Sequence, residues 1–413
     1  MLKNYFKIAI KVLLRRKFYT FISIFGISFT LMFVMVTISF IENTFGTKAP
    51  ELKLDRTLSV TMAQLRTTNN SLTSGPLFSY YYMDKYVKTL KEPETISIST
   101  FHNTLVIYKN NKKFNASIKF CDSEFFDILD FEFIEGKPFN SDDVTNKNRV
   151  AVINQNIREK YFGGTSAIGK NIEADGKNYK VIGVVNNVSI MRIMPYSDIW
   201  VPITMSKADL NKPIISGAFP GYFAMALAKN KADISKIQAE YRKKIKSIDL
   251  ESFGYKELQS DIDTYAEALS RQILQSDRGN SNLFILILFI FMVLFMLLPV
   301  LNLINLNVSR IMERASEIGV RKAFGASKRT LIGQFIVENL ILTMISGVLG
   351  LLLTYIVISI INVSGIIEYS ELTLDFRIFF YSLFITLFFG LFSGVYPAYK
   401  MSKLNPAEAL NKA

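Results

Sequence analysis

FYTFISIFGISFTLMFVMVTISFI (Phe18–Ile41) runs for 24 residues without a charged side chain. A bilayer core is about 30 Å thick, and a helix needs about 20 mostly apolar residues to cross it. Three further stretches meet that length. Leu283–Leu306 is uncharged throughout, 331–363 carries one charge (Glu338) near its start, and 376–395 carries one (Arg377) at its edge. The expected fold is therefore membrane α-helical, with four transmembrane helices at 18–41, 283–306, 331–363 and 376–395. Between the first two, residues 42–282 read as an α+β extracytoplasmic domain long enough for two subdomains.

Charge sets the direction of the spans. Residues 1–17 hold six basic side chains (Lys3, Lys7, Lys11, Arg15, Arg16, Lys17) and no acid. The loop 307–330 holds six basic and two acidic residues, and the tail 396–413 three and one. The short loop 364–375 holds Glu368, Glu371 and Asp375 and no base. Basic flanks stay in the cytoplasm, which places both termini and 307–330 inside and 42–282 outside. The net charge of the chain is +13, while 42–282 carries 32 basic and 28 acidic residues. The excess is topological, and nucleic-acid binding is rejected. The expected location is the bacterial inner membrane, multi-pass, with the large domain in the periplasm.

The N-terminus reads as a signal anchor, since its apolar run is too long for a signal peptide and no small-residue cleavage site follows. Leu2, Phe6, Ile10 and Leu13 share one helical face, with Lys3, Lys7, Lys11 and Arg15 on another. Such a basic amphipathic helix at 1–17 suits the inner leaflet, where the chain turns into the first span. Cys121 and His102 are each the single residue of their kind. They exclude a disulfide framework within the chain and a Cys/His zinc site.

Within 42–282, strands are expected at Thr57–Met62, Leu105–Tyr108, Ser117–Phe120, Val150–Ile153 and Tyr179–Val185, with turns at Asn110-Asn111 and Asp175-Gly176. Helices are expected at Tyr80–Leu90, Ile234–Ile248 and Leu258–Leu274, the last leading into the second span. Gly164–Asn171 nearly matches a phosphate-binding P-loop. It lacks the hydroxyl residue after Lys170, follows a helical pattern (Gln155–Phe162) and precedes a strand-turn-strand, the reverse of what a P-loop needs. It reads as a Gly-rich turn opening a hairpin.

From residue 307 the sequence becomes specific. Glu313-Arg-Ala-Ser-Glu317-Ile318-Gly319-Val-Arg321-Lys322-Ala-Phe324-Gly325-Ala-Ser327 resembles the signature of FtsX/MacB-type ABC transporter permeases. Tyr396-Pro397-Ala398 with Leu404–Leu410 resembles the family's ending, and Tyr161-Phe162-Gly163, Ile168-Gly169-Lys170 and Val181–Val185 resemble its outer hairpin. The resemblance implies a dimeric permease subunit, of identical or paralogous copies, served by a separate P-loop ATPase dimer. The chain itself would not be an enzyme and would hold no cofactor; ATP and Mg would sit on the ATPase. In MacB-like members, ATP-driven closure on the cytoplasmic side moves the outer domains, and substrate is handled outside the membrane. A periplasmic adaptor, an outer-membrane channel and membrane lipids are the further implied partners.

The residues of 313–327 support that role physically. Glu317 lies four before Arg321, the favourable order for a helical ion pair. Gly325 suits the position that ends a helix, and Ser327 the N-cap of the next. Ile318, Val320 and Phe324 give the short helix an apolar side that fits a partner's groove. The alternative is a membrane-hugging basic loop.

Within the spans, Glu338 lies about 9–10 Å deep at 1.5 Å per residue. Asn302 and Asn305 end the second span at the same depth and could hydrogen-bond it. A structural role is preferred to proton transfer. Pro299 is expected to kink the second span. Gly347 and Gly350 in the third span, and Gly390 and Gly394 in the fourth, permit close helix packing, within one subunit rather than between copies.

Two functional classes compete with a transporter-class mechanotransmitter that exports or releases a substrate. One is a non-transporting regulator of cell-wall hydrolases or of a sensor partner, like FtsX itself. That protein's outer domain is small for the family, and the outer domain of about 240 residues here favours the transporter class. The other is a membrane-anchored enzyme, opposed by the single histidine and by the lack of a nucleophile elbow or paired-carboxylate motif.

Overall fold

The computed structural model describes residues 10–11, 13–15, 17–75, 78–109, 112–215, 221–274, 279–291, 293–294, 320, 324, 327–377, 379–381, 383–384 and 387–388. They divide into a helical unit (Met1–Phe45, Ile287–Ile366, Glu371–Ala413) and an α/β unit (Gly46–Leu286, Ile367–Ser370).

In the helical unit, two helices among the described residues are long and apolar enough to cross a membrane. Helix Lys17–Phe45 extends past the expected 18–41 by four residues at its C-terminal end. Helix Lys328–Ser364 contains the expected 331–363. Of the other two expected spans, Ser281–Phe291 is helical, as are the described residues of 376–388. Residues 293–294 are helical as well, and the rest of both, with Pro299, Gly390 and Gly394, lies outside the described residues.

Helices Lys17–Phe45 and Lys328–Ser364 pack through small and polar residues. Ser23, Ile27, Ser28, Leu31, Val34, Met35, Ser39 and Asn43 form the buried stripe of the first. A Cβ built on Gly350 would lie 3.0 Å from Leu31 Cβ and 3.1 Å from the Ser28 carbonyl oxygen. The Thr354 hydroxyl donates to the Gly350 carbonyl at 2.7 Å and lies 3.7 Å from Met35 Sδ. Gly347 faces Leu383, whose Cδ1 would lie 2.8 Å from an added Cβ. The absent side chains let backbones approach, as small-residue packing in membranes requires.

Residues 10–11 and 13–15 are helical. Leu13 is buried against Ile341 and Leu342. Thr20 Oγ1 donates to the Leu13 carbonyl at 2.9 Å, seven residues back. Seven residues span about 10 Å along a straight helix, so the chain bends between this piece and helix Lys17–Phe45. Residues 1–9 lie outside the described set.

The α/β unit is built on a mixed sheet whose strands are β1 (Thr57–Val60), β4 (Thr95–Thr100), β5 (Asn103–Lys109), β6 (Lys112–Cys121), β7 (Phe133–Gly136), β8 (Val150–Asn154), β9 (Asn171–Ala174), β10 (Lys177–Val185), β11 (Ile199–Pro202), β12 (Tyr222–Leu227) and β14 (Asp263–Thr264). The order is β14-β1-β12-β4-β6-β11-β8-β10-β7, with β5 added on β6 and β9 on β10. β8 and β10 pair in parallel, as do β6 and β11. A second, antiparallel sheet runs β13-β2-β3 from Tyr255–Gln259, Ala63–Thr67 and Leu72–Gly75. Both sheets lie within one compact unit, which is not divided into the two expected subdomains.

Both faces of the large sheet are covered. Side chains alternate across a strand, and in β12 Tyr222, Ala224 and Ala226 join one core while Phe223, Met225 and Leu227 join the other. Helix Ile234–Lys246 and the helical run Tyr80–Tyr82, continued as the π-helix Met83–Val87, pack into the first core through Ile237, Tyr241, Tyr82 and Val87. Helix Phe125–Ile128 packs into the second. Strands buried on both faces read as continuous apolar runs, as do β11 (Ile199–Pro202) and β12 (Tyr222–Leu227), neither of which was anticipated.

Glycine is required where β7 meets β10. Gly136 has φ +72°, and a Cβ there would sit 2.0 Å from the Ile182 carbonyl oxygen. Asp175 and Gly176, at φ +51° and +73°, turn β9 into β10 as the Asp-Gly pair predicts. The Gly164–Asn171 segment follows helix Gln155–Phe162, capped by left-handed Gly163, and runs into β9. Lys170 Nζ donates to Thr165 Oγ1 at 2.9 Å. A helix before and a strand after is the geometry of a connecting turn.

The expected helix Leu258–Leu274 is corrected. Tyr255–Gln259 pairs with β2, Asp263–Thr264 pairs with β1, and only Tyr265–Leu274 is helical. A capping box sets the start. The Thr264 N–H and hydroxyl both donate to Glu267 Oε2 at 2.9 Å, and the Glu267 N–H reaches back to Thr264 Oγ1 at 3.5 Å. The expected helix Tyr80–Leu90 likewise ends at Val87.

Candidate functional site

Two groups of residues were candidates from sequence. In the 313–327 segment, Val320 and Phe324 are described together with Ser327. The Phe324 N–H donates to the Val320 carbonyl at 3.0 Å, a helical turn, and the Phe324 side chain is 88% exposed. Such exposure of a phenyl ring outside the apolar helices leaves it available to a partner. Ser327 is the N-cap of the long helix: its hydroxyl accepts the Thr330 N–H at 3.2 Å. Glu313, Glu317, Ile318, Gly319, Arg321, Lys322 and Gly325 lie outside the described residues.

Glu338 is 3% exposed within helix Lys328–Ser364. Gln334, one turn earlier on the same buried face, donates its amide to Glu338 Oε1 at 3.0 Å. A carboxylate in an apolar helix needs such donors. Asn302 and Asn305, the expected partners, lie outside the described residues. Among the described residues no cluster of three or more His, Cys, Asp or Glu side chains could hold a metal ion.

A third group was not anticipated. In the α/β unit, polar side chains converge on the segment 186–198, between β10 and β11. Arg192 donates to Glu51 Oε2 at 2.6 Å and to the Gly46 carbonyl at 2.8 Å, and both charged side chains are 4% exposed. Burial pushes the Glu51 carboxyl up against the opposing pull of the Arg192 guanidinium. Lys119, fully buried on β6, donates to the Met194 carbonyl at 2.5 Å and lies over the Phe223 ring at 5.1 Å. Desolvation lowers its ammonium to a pKa of about 7.

Asp198 is the most heavily used acceptor there. It takes the Ser117 N–H at 2.7 Å and hydroxyl at 3.0 Å, the Asn154 amide at 2.7 Å and the Tyr369 hydroxyl at 2.6 Å. The Tyr369 oxygen accepts in turn from Asn156 Nδ2 at 2.6 Å. The Tyr196 hydroxyl donates to Glu368, and the Ile190 N–H donates to the Glu368 carbonyl at 3.1 Å. Burial, first, and the neighbouring carboxylates raise both phenols well above their usual range, so each remains a donor. The available signal was Lys119. It stands on the inward face of an expected strand, paired in register with Trp200.

Comparison with known proteins identifies the family. Residues 20–244 match the MacB-like periplasmic core domain, and residues 289–406 match the FtsX-like permease C-terminal domain. The chain belongs to the MacB/FtsX family of ABC transporter permeases. The permease is thus a membrane protein with a periplasmic or extracellular domain, and its family works with an ATPase partner. It is 26% identical over 312 residues to the uncharacterized ABC transporter permease YvrN of Bacillus subtilis strain 168, covering 76% of the permease and 72% of YvrN. It is 24% identical over 306 residues to the macrolide export ATP-binding/permease protein MacB of Pasteurella multocida strain Pm70, covering 73% of the permease and 44% of that protein. Among solved structures, the periplasmic region of MacB from Actinobacillus actinomycetemcomitans aligns with a TM-score of 0.38 at 14% identity, over 54% of the permease and 94% of that chain.

Proposed function

We propose that the permease is a mechanotransmitter. A separate P-loop ATPase dimer docks on the cytoplasmic segment 307–330, and ATP-driven closure there moves the outer domain, which exports or releases a substrate at the outer face. In this reading four spans carry the movement, both termini are cytoplasmic, and two copies or paralogues form the working unit. ATP and Mg belong to the ATPase. The name of the relative for macrolide export supports export as the class of task.

The observation that carries the reading is the outward ring of Phe324 immediately before the Ser327 cap. It puts an exposed aromatic anchor beside the rigid start of a helix that runs on to Ser364. Aromatic anchors in a partner's pocket dominate such interfaces, and a helix fixed at its first turn transmits displacement along its length. Glu317 and Arg321 would hold the docking helix, and Gly325 would end it.

Affinity purification of the permease from its native membranes, followed by identification of what accompanies it, tests this. An ATPase is expected to co-purify from the unmodified chain and to be lost, at unchanged membrane insertion, from Glu317→Lys and Phe324→Ala. Full ATP-dependent activity in the double variant Glu317→Lys/Gly325→Pro would sink the docking assignment. A cell-wall hydrolase in place of export partners would redirect the output from transport to regulation.

A further inference from the structure

The loop after helix Lys328–Ser364 is divided between the two units. Gly365, at φ +64°, ends the helix. Ile367–Ser370 then belongs to the α/β unit, and from Glu371 the chain belongs to the helical unit. Neither half is slack.

On the first half, Tyr369 is held by Asp198 and Asn156, and Glu368 by Tyr196 and the Ile190 N–H. Tyr369 adopts φ +55°, a left-handed conformation that bulky L-residues avoid. Such a conformation persists where the surroundings over-determine it, and here the phenol is fixed by two bonds of 2.6 Å. On the second half, the backbone is taken up by helix side chains. Asn362 exchanges two bonds with Leu372, donating to its carbonyl at 2.9 Å and accepting its N–H at 3.1 Å. Asn43 donates to the Glu371 carbonyl at 3.2 Å, and Ser39 to the Thr373 carbonyl at 3.0 Å.

We propose that Ile367–Ser370 is a fastening point through which movement of the helical unit is delivered to the outer domain, with Tyr369 and Glu368 as its coupling residues. The inference rests on the mechanotransmission reading above. A covalent link passes on displacement only when the chain on both sides is immobilised. Here one peptide bond, Ser370–Glu371, separates residues gripped by the domain from residues gripped by the helices. The other connections, at 45–46 and 286–287, are made by the helices Lys17–Phe45 and Ser281–Phe291 themselves, which makes the loop an additional drive point rather than a passive tether.

The test uses the full chain with its ATPase in lipid nanodiscs and follows amide hydrogen exchange with and without ATP–vanadate. In the unmodified protein, exchange across the outer domain is expected to change with nucleotide. In Tyr369→Phe/Glu368→Gln, the Ile190 amide and residues 367–372 should exchange at least tenfold faster. The nucleotide-dependent change in the outer domain should fall severalfold, with ATP hydrolysis retained and only a small drop in melting temperature. Tyr196→Phe, which leaves the loop sequence intact, should act in the same direction and guards against a misfolded double variant. An undocked loop with the nucleotide response of the outer domain at full size would overturn the fastening role alone. No nucleotide response in the unmodified protein would overturn both this inference and the mechanotransmission reading.

Discussion

Tyr369 donates its phenolic hydrogen to Asp198 across 171 residues of sequence, at 2.6 Å. The two residues contribute unequally. Tyr369→Phe removes one donor and should cost about 1 kcal/mol, whereas Asp198→Ala strands the Ser117 N–H, the Asn154 amide and the tyrosine together and should cost about 3–5 kcal/mol. Denaturant unfolding of the detergent-purified permease, followed by the fluorescence of buried Trp200, measures both. Equal losses would mean that Asp198 does not organise the segment.

Arg192 and Glu51 form a buried pair, and removing one partner leaves the other charge without compensation. Arg192→Met is expected to destabilise by about 3–5 kcal/mol, and adding Glu51→Gln should recover a substantial part. Glu51 already has a folded pKa above its unfolded value, and losing Arg192 raises it further. A carboxyl with a raised folded pKa holds more protons folded than unfolded, so stability falls as pH rises through that window. The Arg192→Met deficit should therefore be larger at pH 8 than at pH 5, read as melting temperatures.

Lys119 titrates in the opposite sense. Its folded pKa of about 7 lies below the ordinary lysine value, so between those limits the unfolded chain binds more protons. Wild-type stability should gain up to about 1.4 kcal/mol per pH unit from this group as pH rises from 7 toward 10. Lys119→Met should lack that gain. Parallel slopes for the two proteins would show that the ammonium is not desolvated.

Gly350 of helix Lys328–Ser364 packs directly against Leu31 and Ser28 of helix Lys17–Phe45. Gly350→Ala needs shifts of a few tenths of an ångström at Leu31 and Ser28 and should be tolerated. Gly350→Leu should separate the helices and lower the melting temperature in detergent by several degrees. Matching melting temperatures for the leucine variant and the parent would refute the close contact.

What the sequence alone determined is local. Apolar runs of about 20 residues marked 18–41 and 331–363, which the long helices contain, because crossing length depends on a contiguous window. Asp175-Gly176 and the Ser327 cap were legible for the same reason: a left-handed turn or an orphan N–H is satisfied by residues one to three positions away. The same rule, applied to Thr264-x-x-Glu267, would have started the helix at Tyr265 rather than at Leu258.

Only the tertiary structure decided the rest. Strands β11 and β12 carry no alternation, since burial on both faces selects apolar residues at every position, and the strand order brings together segments more than 100 residues apart. The 364–375 loop reads as three acids and a tyrosine near a membrane surface, and nothing near it in sequence names Asp198, Asn156 or Ile190 as its partners. Hydrogen bonds are short-ranged in space and indifferent to sequence separation. Lys119, Arg192 and Asp198 therefore became a site only when the sheet carried β6, β8 and β11 together.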